Sequence, residues 1–282
     1  MTLKQLEKYF IDELIPVYGS DEAAQLFYLT AEHISGLNRS ELILKNDFQL
    51  DAKTEDAYKN TLSALTEGKP LQHIFEEAWF YGLKFRVNSS VLIPRPETEE
   101  LVHWILETAS GFPFSHLLDV GTGTGCIAIT LQKKLDSVKA EAMDISSDAL
   151  MIAKQNAVAN EADIAFIQAD ILGYEGIESY DLIVSNPPYI TPKERQEMHH
   201  NVLGYEPELA LFVTEENPLI FYKSIADFAV RHLDARGFLF FEINEYLGKE
   251  MIEMLEDKGF ANIHLKKDMQ GKDRMIRCNK AQ

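Results

Sequence analysis

The sequence is poor in cysteine. It has two, Cys126 and Cys278, among 282 residues, and neither forms a C-x-x-C pair, so no zinc or redox motif is visible. Both lie among apolar residues, as core thiols usually do. The adjacent histidines His199 and His200 lack a third ligand in view, and side chains of adjacent residues diverge, so a solvated loop is the favoured interpretation. We therefore predict no bound metal.

Long apolar runs are also absent. No segment approaches the roughly 20 apolar residues that a membrane-spanning helix needs. The first residues, Met1–Glu7, carry charges within their apolar pattern and do not resemble a signal peptide. We therefore expect a cytoplasmic protein that does not contact a membrane.

Positive charge is scarce. The chain has 27 Lys and Arg against 45 Asp and Glu, a formal net charge of −18 and a pI near 4.8. This balance argues against a large phosphate-binding surface, so we predict no direct contact with nucleic acid. It fits either a macromolecular partner with a basic surface or acidity that serves solubility. A hydrophobic fraction of 46% and the length indicate a globular protein of more than one domain.

The first part of the chain has a helical pattern. Leu3, Leu6, Phe10 and Leu14 recur at helix spacing, and Pro16 is predicted to help end that helix. An aromatic and β-branched stretch, 79–87, then predicts a short hairpin. The predicted organisation is a helical domain over 1–77, a hairpin and linker over 78–96, and a second domain over 97–282.

After Gly111 the pattern alternates between strands and helices, which predicts an α/β fold with a doubly wound, mostly parallel, seven-stranded sheet. The predicted parallel strands are 116–120, 140–145, 164–169, 180–185 and 237–243. The predicted helices between them are 126–135, 147–160 and 219–233. A closing antiparallel pair is predicted over 262–267 and 274–278.

The most informative motif is Asn186-Pro187-Pro188-Tyr189, which directly follows the predicted strand 180–185. Two prolines cannot continue a sheet ladder, so the chain leaves the sheet there. The asparagine offers a side-chain carbonyl and amide, and the tyrosine offers a flat aromatic face. These groups suit a planar NH2 group as substrate; the alternative is a strand-ending turn with a buried tyrosine.

A glycine-rich turn joins the predicted strand 116–120 to a helix. Glycines let the backbone approach a ligand closely, and the start of a helix presents free N–H groups. A dinucleotide fingerprint would require glycine at the position of Cys126, and the carboxylate of Asp119 would repel a pyrophosphate. Both points favour S-adenosylmethionine, whose sulfonium is positive. The predicted cofactor loop comprises Asp119, Gly121, Thr122, Gly123, Thr124 and Gly125.

Further polar residues follow neighbouring strands at the same carboxyl edge of the predicted sheet, where open α/β folds bind ligands. Asp144 is placed to accept the hydroxyls of a ribose, although it is also a candidate helix cap. Asp170 is placed near an adenine amine, and Ile171 beside it is placed to pack on the base. Asn186 shares this edge. The long segment from Ile190 to about 217 predicts a mobile cover whose residues 206–208 line the mouth of the site.

With these motifs, the chain resembles the release-factor glutamine methyltransferases, the HemK family, over nearly its full length. Residues 119–125 resemble the family's cofactor loop, and 185–190 resemble its catalytic motif. Residues 92–99 are similar to the proline-arginine-proline segment that joins the family's domains, and Glu206-Pro207 and 271–274 also have counterparts. Ile171 departs from the pattern, since some members carry an aromatic residue there.

The resemblance implies transfer of a methyl group from S-adenosylmethionine to the N5 amide of the glutamine in the Gly-Gly-Gln motif of class 1 peptide-chain release factors. It also implies that the helical N-terminal domain helps to dock the release factor. The Asn186 side-chain oxygen and the Pro187 carbonyl would accept the N–H groups of the amide, Pro188 would stiffen the turn, and Tyr189 would pack on the amide plane. Nothing in the sequence demands a dimer, so we expect a monomer.

Three alternatives remain open from the residues alone. An amino-methyltransferase that acts on adenine or guanine in nucleic acid uses the same four-residue motif, but it would need a basic groove. A nucleotide-binding scaffold would bind the cofactor without chemistry. A dinucleotide oxidoreductase would require the glycine loop to hold a pyrophosphate.

Overall fold

The computed structural model describes residues 1–197 and 204–280, which form two compact units. The first comprises Met1–Glu76 with a short piece that ends at Tyr205, and the second comprises the rest of the described chain. None of the helices in the described part of the chain combines the length and apolar character that a membrane crossing requires.

The first unit is all-helical. Thr2 and Gln5 form a capping box at its start, and Asp51 caps a later helix through the Thr54 N–H. Non-helical backbone inside the first helix falls at Gly19 (φ 77°) and not at Pro16, because a proline φ suits a helix whereas this glycine φ does not. Phe10, Phe27 and Tyr58 form its aromatic core. Its helices are α1 (Leu3–Ser35), α2 (Arg39–Leu44), α3 (Ala52–Thr66) and α4 (Leu71–Phe75).

The second unit begins with an antiparallel hairpin and continues as an alternation of helices and strands. In the hairpin, Glu77 pairs with Arg86 and Phe80 with Leu83. The strands of the unit are β1 (Glu77–Phe80), β2 (Leu83–Arg86), β3 (His116–Val120), β4 (Lys139–Asp144), β5 (Ile164–Gln168), β6 (Tyr180–Ser185), β7 (Leu233–Glu242), β8 (Phe260–Lys267) and β9 (Asp273–Lys280). Its helices are α5 (Pro96–Ala109), α6 (Cys126–Lys134), α7 (Ser147–Ala159), α8 (Glu208–Leu211), α9 (Ile220–His232) and α10 (Gly248–Asp257), with a 3-10 turn at Glu194–Glu197.

Seven strands form one mixed sheet in the order β5-β4-β3-β6-β7-β9-β8. The first five of these are mutually parallel, and β9 runs antiparallel to both β7 and β8. This arrangement confirms the predicted fold class. The chain proceeds from β3 outward to β5 and then returns to place β6 on the other side of β3, so the loops after β3 and β6 meet at a topological switch point.

Alternate residues of the central strands supply the two cores of the sheet. Leu117 and Val184 pack on one face with α5 and α6, while Leu118 and Ile183 pack on the other with α9 and α10. Because side chains along a strand alternate between faces, these two apolar layers fix the strand register. The register places Val120 opposite Ser185, so β3 and β6 end side by side.

Candidate active site

A cavity of about 310 Å³ opens at the carboxyl edge of the sheet, between the ends of β3, β4 and β6. This volume lies within the range of small-molecule sites. Eight of the predicted site residues line it: Gly121, Gly123, Asp144, Asp170, Ile171, Asn186, Pro187 and Pro188. The remaining five, Asp119, Thr122, Thr124, Gly125 and Tyr189, lie outside this lining.

The glycine loop is held to the neighbouring strand, since the Gly121 and Thr122 N–H groups both donate to the Met143 carbonyl at 2.9 Å. Gly121 and Gly123 have positive φ, and a Cβ built on either would meet no atom within 4 Å. Gly125 also has positive φ, but its Cβ would lie 2.9 Å from Ile129 Cδ1. The first two glycines therefore leave open a cradle at the cavity, whereas the third permits close packing of loop and helix.

Asp119 is buried behind this loop. Its Oδ2 accepts from Thr122 Oγ1 at 2.6 Å and from the Ala128 N–H at 3.3 Å, while its Oδ1 has no hydrogen-bond partner among the residues that the structure describes. Burial raises the pKa of Asp119 to about 7. The carboxyl therefore orders the turn from behind and keeps one acceptor unused.

Asp144 and Asp170 are the charged residues among those that line the cavity in the described part of the chain. Asp144 accepts from the N–H groups of Gly123 and Ser146 at 2.9 Å each, and burial raises its pKa. Asp170 is exposed and accepts from the Leu172 N–H at 2.9 Å. Carboxylates in such a lining suit sugar hydroxyls and positively charged ligands and would repel a pyrophosphate.

Asn186 belongs to a buried hydrogen-bond chain. Its Nδ2 donates to Thr98 Oγ1 at 3.2 Å, and the Thr98 hydroxyl donates to Glu242 Oε2 at 2.7 Å. The Tyr189 hydroxyl donates to the other oxygen of the same carboxylate at 3.2 Å. Burial raises the pKa of Glu242. Both ends of the four-residue motif are therefore tied to one carboxylate at the end of β7.

An ion pair between the buried Glu206 and the partly exposed Arg95 anchors the segment that lines the mouth. Glu206 accepts from Arg95 Nη2 at 2.5 Å and from the Ile93 N–H at 3.2 Å. Next to it, Pro207, Leu209 and Ala210 line the cavity. His199 and His200 lie outside the described residues.

Thr98 and Glu242 were not predicted from the sequence as site residues. A signal for Glu242 was present, because a carboxylate at the end of a predicted strand shares the edge of the sheet with Asn186. Thr98 carried no such signal, because it lies on α5 and is brought to the site only by packing.

Comparison with known proteins agrees with the family resemblance drawn from the sequence motifs. Residues 98–205 match the family model "Methyltransferase small domain", and residues 9–75 match "PrmC N-terminal domain". A methyltransferase from Pyrococcus furiosus has a TM-score of 0.53 at 16% identity and covers 79% of this chain and 100% of its own. A 16S rRNA methyltransferase from Thermus thermophilus has a TM-score of 0.51 at 17% identity and covers 73% of this chain and 50% of its own. At these identities, the two structures show the fold.

Full-length relatives are more informative. A release factor glutamine methyltransferase from Flavobacterium psychrophilum is 46% identical over 283 residues, covering 99% of both chains. One from Bacteroides thetaiotaomicron is 40% identical over 280 residues, covering 99% of this chain and 100% of its own. These relationships confirm the resemblance drawn from the motifs. The chain belongs to the family of release factor glutamine methyltransferases.

Proposed function

We propose that this chain transfers a methyl group from S-adenosylmethionine to the N5 amide of the glutamine in the Gly-Gly-Gln motif of class 1 peptide-chain release factors. The observation that carries the proposal is that Asn186 lines the same acidic cavity as Gly121, Gly123 and Asp144. An amide-binding group and a site for a cationic cofactor therefore adjoin each other at one edge of the sheet.

The cavity fits the cofactor. The open cradle at Gly121 and Gly123 admits a ligand against the backbone, and both charged lining residues are acidic. Asp144 would hold the ribose hydroxyls, Asp170 the adenine amine, and Ile171 would pack on the base. When bound, S-adenosylmethionine supplies a methyl group on a positively charged sulfur.

The chain's own task is to orient the glutamine amide. An amide nitrogen is a poor nucleophile, because its lone pair is delocalised into the carbonyl group. Asn186 Oδ1 and the Pro187 carbonyl each accept one N–H, and the Tyr189 ring packs against the amide plane. Positioning of this kind supplies several kcal/mol. We assign no general base, since the methylated nitrogen loses its surplus proton to water after the bond between sulfur and the methyl group has broken.

The proposal retains the division into 1–77, 78–96 and 97–282, with the helical first domain docking the release factor. Because the chain carries a net charge of −18, a partner with a basic surface would be attracted to it. We propose that the enzyme is cytoplasmic, because its substrate acts in translation, and that it acts as a monomer without binding nucleic acid.

The test is transfer of radiolabelled methyl from S-adenosylmethionine to a purified class 1 release factor, with a Gln→Ala change in its Gly-Gly-Gln motif as the control. We expect label on the normal factor and none on the control. In the enzyme, Asn186→Ala should abolish labelling while cofactor binding persists. Transfer to DNA, rRNA or tRNA, or turnover by Asn186→Ala near the original level, would contradict the proposal.

A further inference from the structure

The hydrogen-bond chain behind Asn186 has a direction that bears on catalysis. We infer that Thr98 and Glu242 are positioning residues that fix which end of the Asn186 carboxamide faces the substrate. This inference rests on the proposed function, in which the Asn186 oxygen accepts a hydrogen bond from the glutamine amide. Neither Thr98 nor Glu242 lines the cavity, so both act through Asn186.

The direction follows from the chemistry of the three groups. A threonine hydroxyl has one hydrogen to donate, and an ionised carboxylate can only accept. The Thr98 hydrogen is given to Glu242 at 2.7 Å, so its oxygen has only lone pairs to offer Asn186. Asn186 must therefore turn Nδ2 towards Thr98, as observed at 3.2 Å, which leaves Oδ1 directed away from Thr98.

Because these groups are buried, water cannot replace a partner and allow the hydrogen bonds to run in the opposite direction. Thr98 and Glu242 are each 2% exposed, so water does not compete for their hydrogen bonds. Glu242 also accepts from the Tyr189 hydroxyl, so each of its two oxygens accepts from a hydroxyl group, as an ionised carboxylate does. Burial raises the pKa of Glu242, and the hydrogen bond from Thr98 and the positive charge of Arg274 oppose that shift. One carboxylate thus holds both Asn186 and Tyr189. For stability alone, well-packed apolar residues would serve as well as a buried carboxylate.

The test compares Thr98→Val with Thr98→Ser. Valine keeps the shape but removes the hydroxyl, whereas serine keeps it. Without the hydroxyl, the Asn186 carboxamide can rotate, and we expect kcat to fall about 10- to 100-fold, while KM for the release factor and Kd for S-adenosylhomocysteine stay within about threefold. Thr98→Ser should retain kcat within about threefold. If Thr98→Val does not fold, Thr98→Cys replaces it, since sulfur is a weak acceptor.

A matched control lies on the same helix. Thr108 is also buried, and its side chain does not line the cavity. The Thr108 hydroxyl accepts a hydrogen bond from Arg277 Nη1 at 2.8 Å. Thr108→Val removes a comparable hydrogen bond, and we expect kcat to stay within about threefold of the original. An equal loss of kcat in Thr98→Val and Thr108→Val, or in Thr98→Val and Thr98→Ser, would overturn the inference.

A second readout requires no methyl transfer. With ¹⁵N-labelled asparagine, the Asn186 side-chain NH2 signal is assigned by its loss in Asn186→Asp. We expect its hydrogen exchange to be at least about tenfold faster in Thr98→Val than in the original or in Thr108→Val. Unchanged exchange would overturn the inference. If the original enzyme transferred no radiolabelled methyl group to the release factor, that result would instead count against the proposed function alone.

Discussion

Gly121→Ala and Gly125→Ala are predicted to damage different properties of the protein, ligand binding in the first case and stability in the second. Both glycines have positive φ, 75° and 80°, which costs an alanine about 1–2 kcal/mol. A Cβ at Gly125 would also lie 2.9 Å from Ile129 Cδ1 and 3.3 Å from Ala153 Cβ. Overpacking of this kind adds about 1–3 kcal/mol. A Cβ at Gly121 would meet no atom within 4 Å, at a residue that lines the cavity.

We therefore expect Gly125→Ala to lower the free energy of unfolding by about 2–5 kcal/mol and Gly121→Ala by about 1–2 kcal/mol. Each kcal/mol corresponds to about 2–4 °C in Tm for a unit of this size. For ligand affinity, the order of the two variants is reversed. We expect Gly121→Ala to weaken S-adenosylhomocysteine binding at least about tenfold, because its Cβ occupies the cradle, and to weaken it more than Gly125→Ala does.

Calorimetry of the ligand-free variants gives Tm, and isothermal titration with S-adenosylhomocysteine gives Kd. Gly173→Ala is the control, since its backbone φ is not positive and its Cβ would meet nothing within 4 Å. It should change the free energy of unfolding by no more than about 1 kcal/mol. Equal losses of Tm and equal Kd values for Gly121→Ala and Gly125→Ala would refute the reasoning.

Three further predictions concern charged groups. Asp144→Asn should weaken S-adenosylmethionine binding at least about tenfold by titration calorimetry, because a charged acceptor is lost; unchanged binding would exclude Asp144 from the cofactor site. Arg95→Ala should lower the free energy of unfolding by about 1–3 kcal/mol in a urea titration, since Glu206 stays buried while Arg95 is 33% exposed; an unaltered midpoint would contradict this. Raising pH from about 4 to about 7 should lower the stability contributed by Asp119, whose pKa rises from 3.8 to about 7 on burial, and Asp119→Asn should remove that part of the slope measured by calorimetry.

The sequence allowed the central strands and the edge of the sheet that carries the site to be predicted. The strands 116–120 and 180–185 were predicted with the observed bounds, because each is a largely apolar run followed by a chain-breaking residue, Gly121 in one case and Pro187 after Asn186 in the other. Helix α10 was not predicted: it begins at Gly248 after Leu247 and has no side-chain cap to mark its start. The strand order β7-β9-β8 and the contact between Thr98 and Glu242 could not be predicted from the sequence either, because pairing across long sequence separations leaves no local pattern.

Asp144, the buried acid that lines the cavity, is better explained by ligand binding than by stability. Burial raises the pKa of Asp144, so folding opposes its ionisation. A group of this kind contributes stability below its unfolded pKa, and that stability is lost as pH rises through the folded pKa. A cationic ligand beside Asp144 acts with the opposite sign, since it binds the ionised carboxylate more strongly. Affinity for S-adenosylmethionine relative to S-adenosylhomocysteine, which lacks the sulfonium charge, should then rise with pH over the range in which ligand-free stability falls. If the carboxylate served only the fold, ligand-free stability would fall with pH while the relative affinity for S-adenosylmethionine stayed constant.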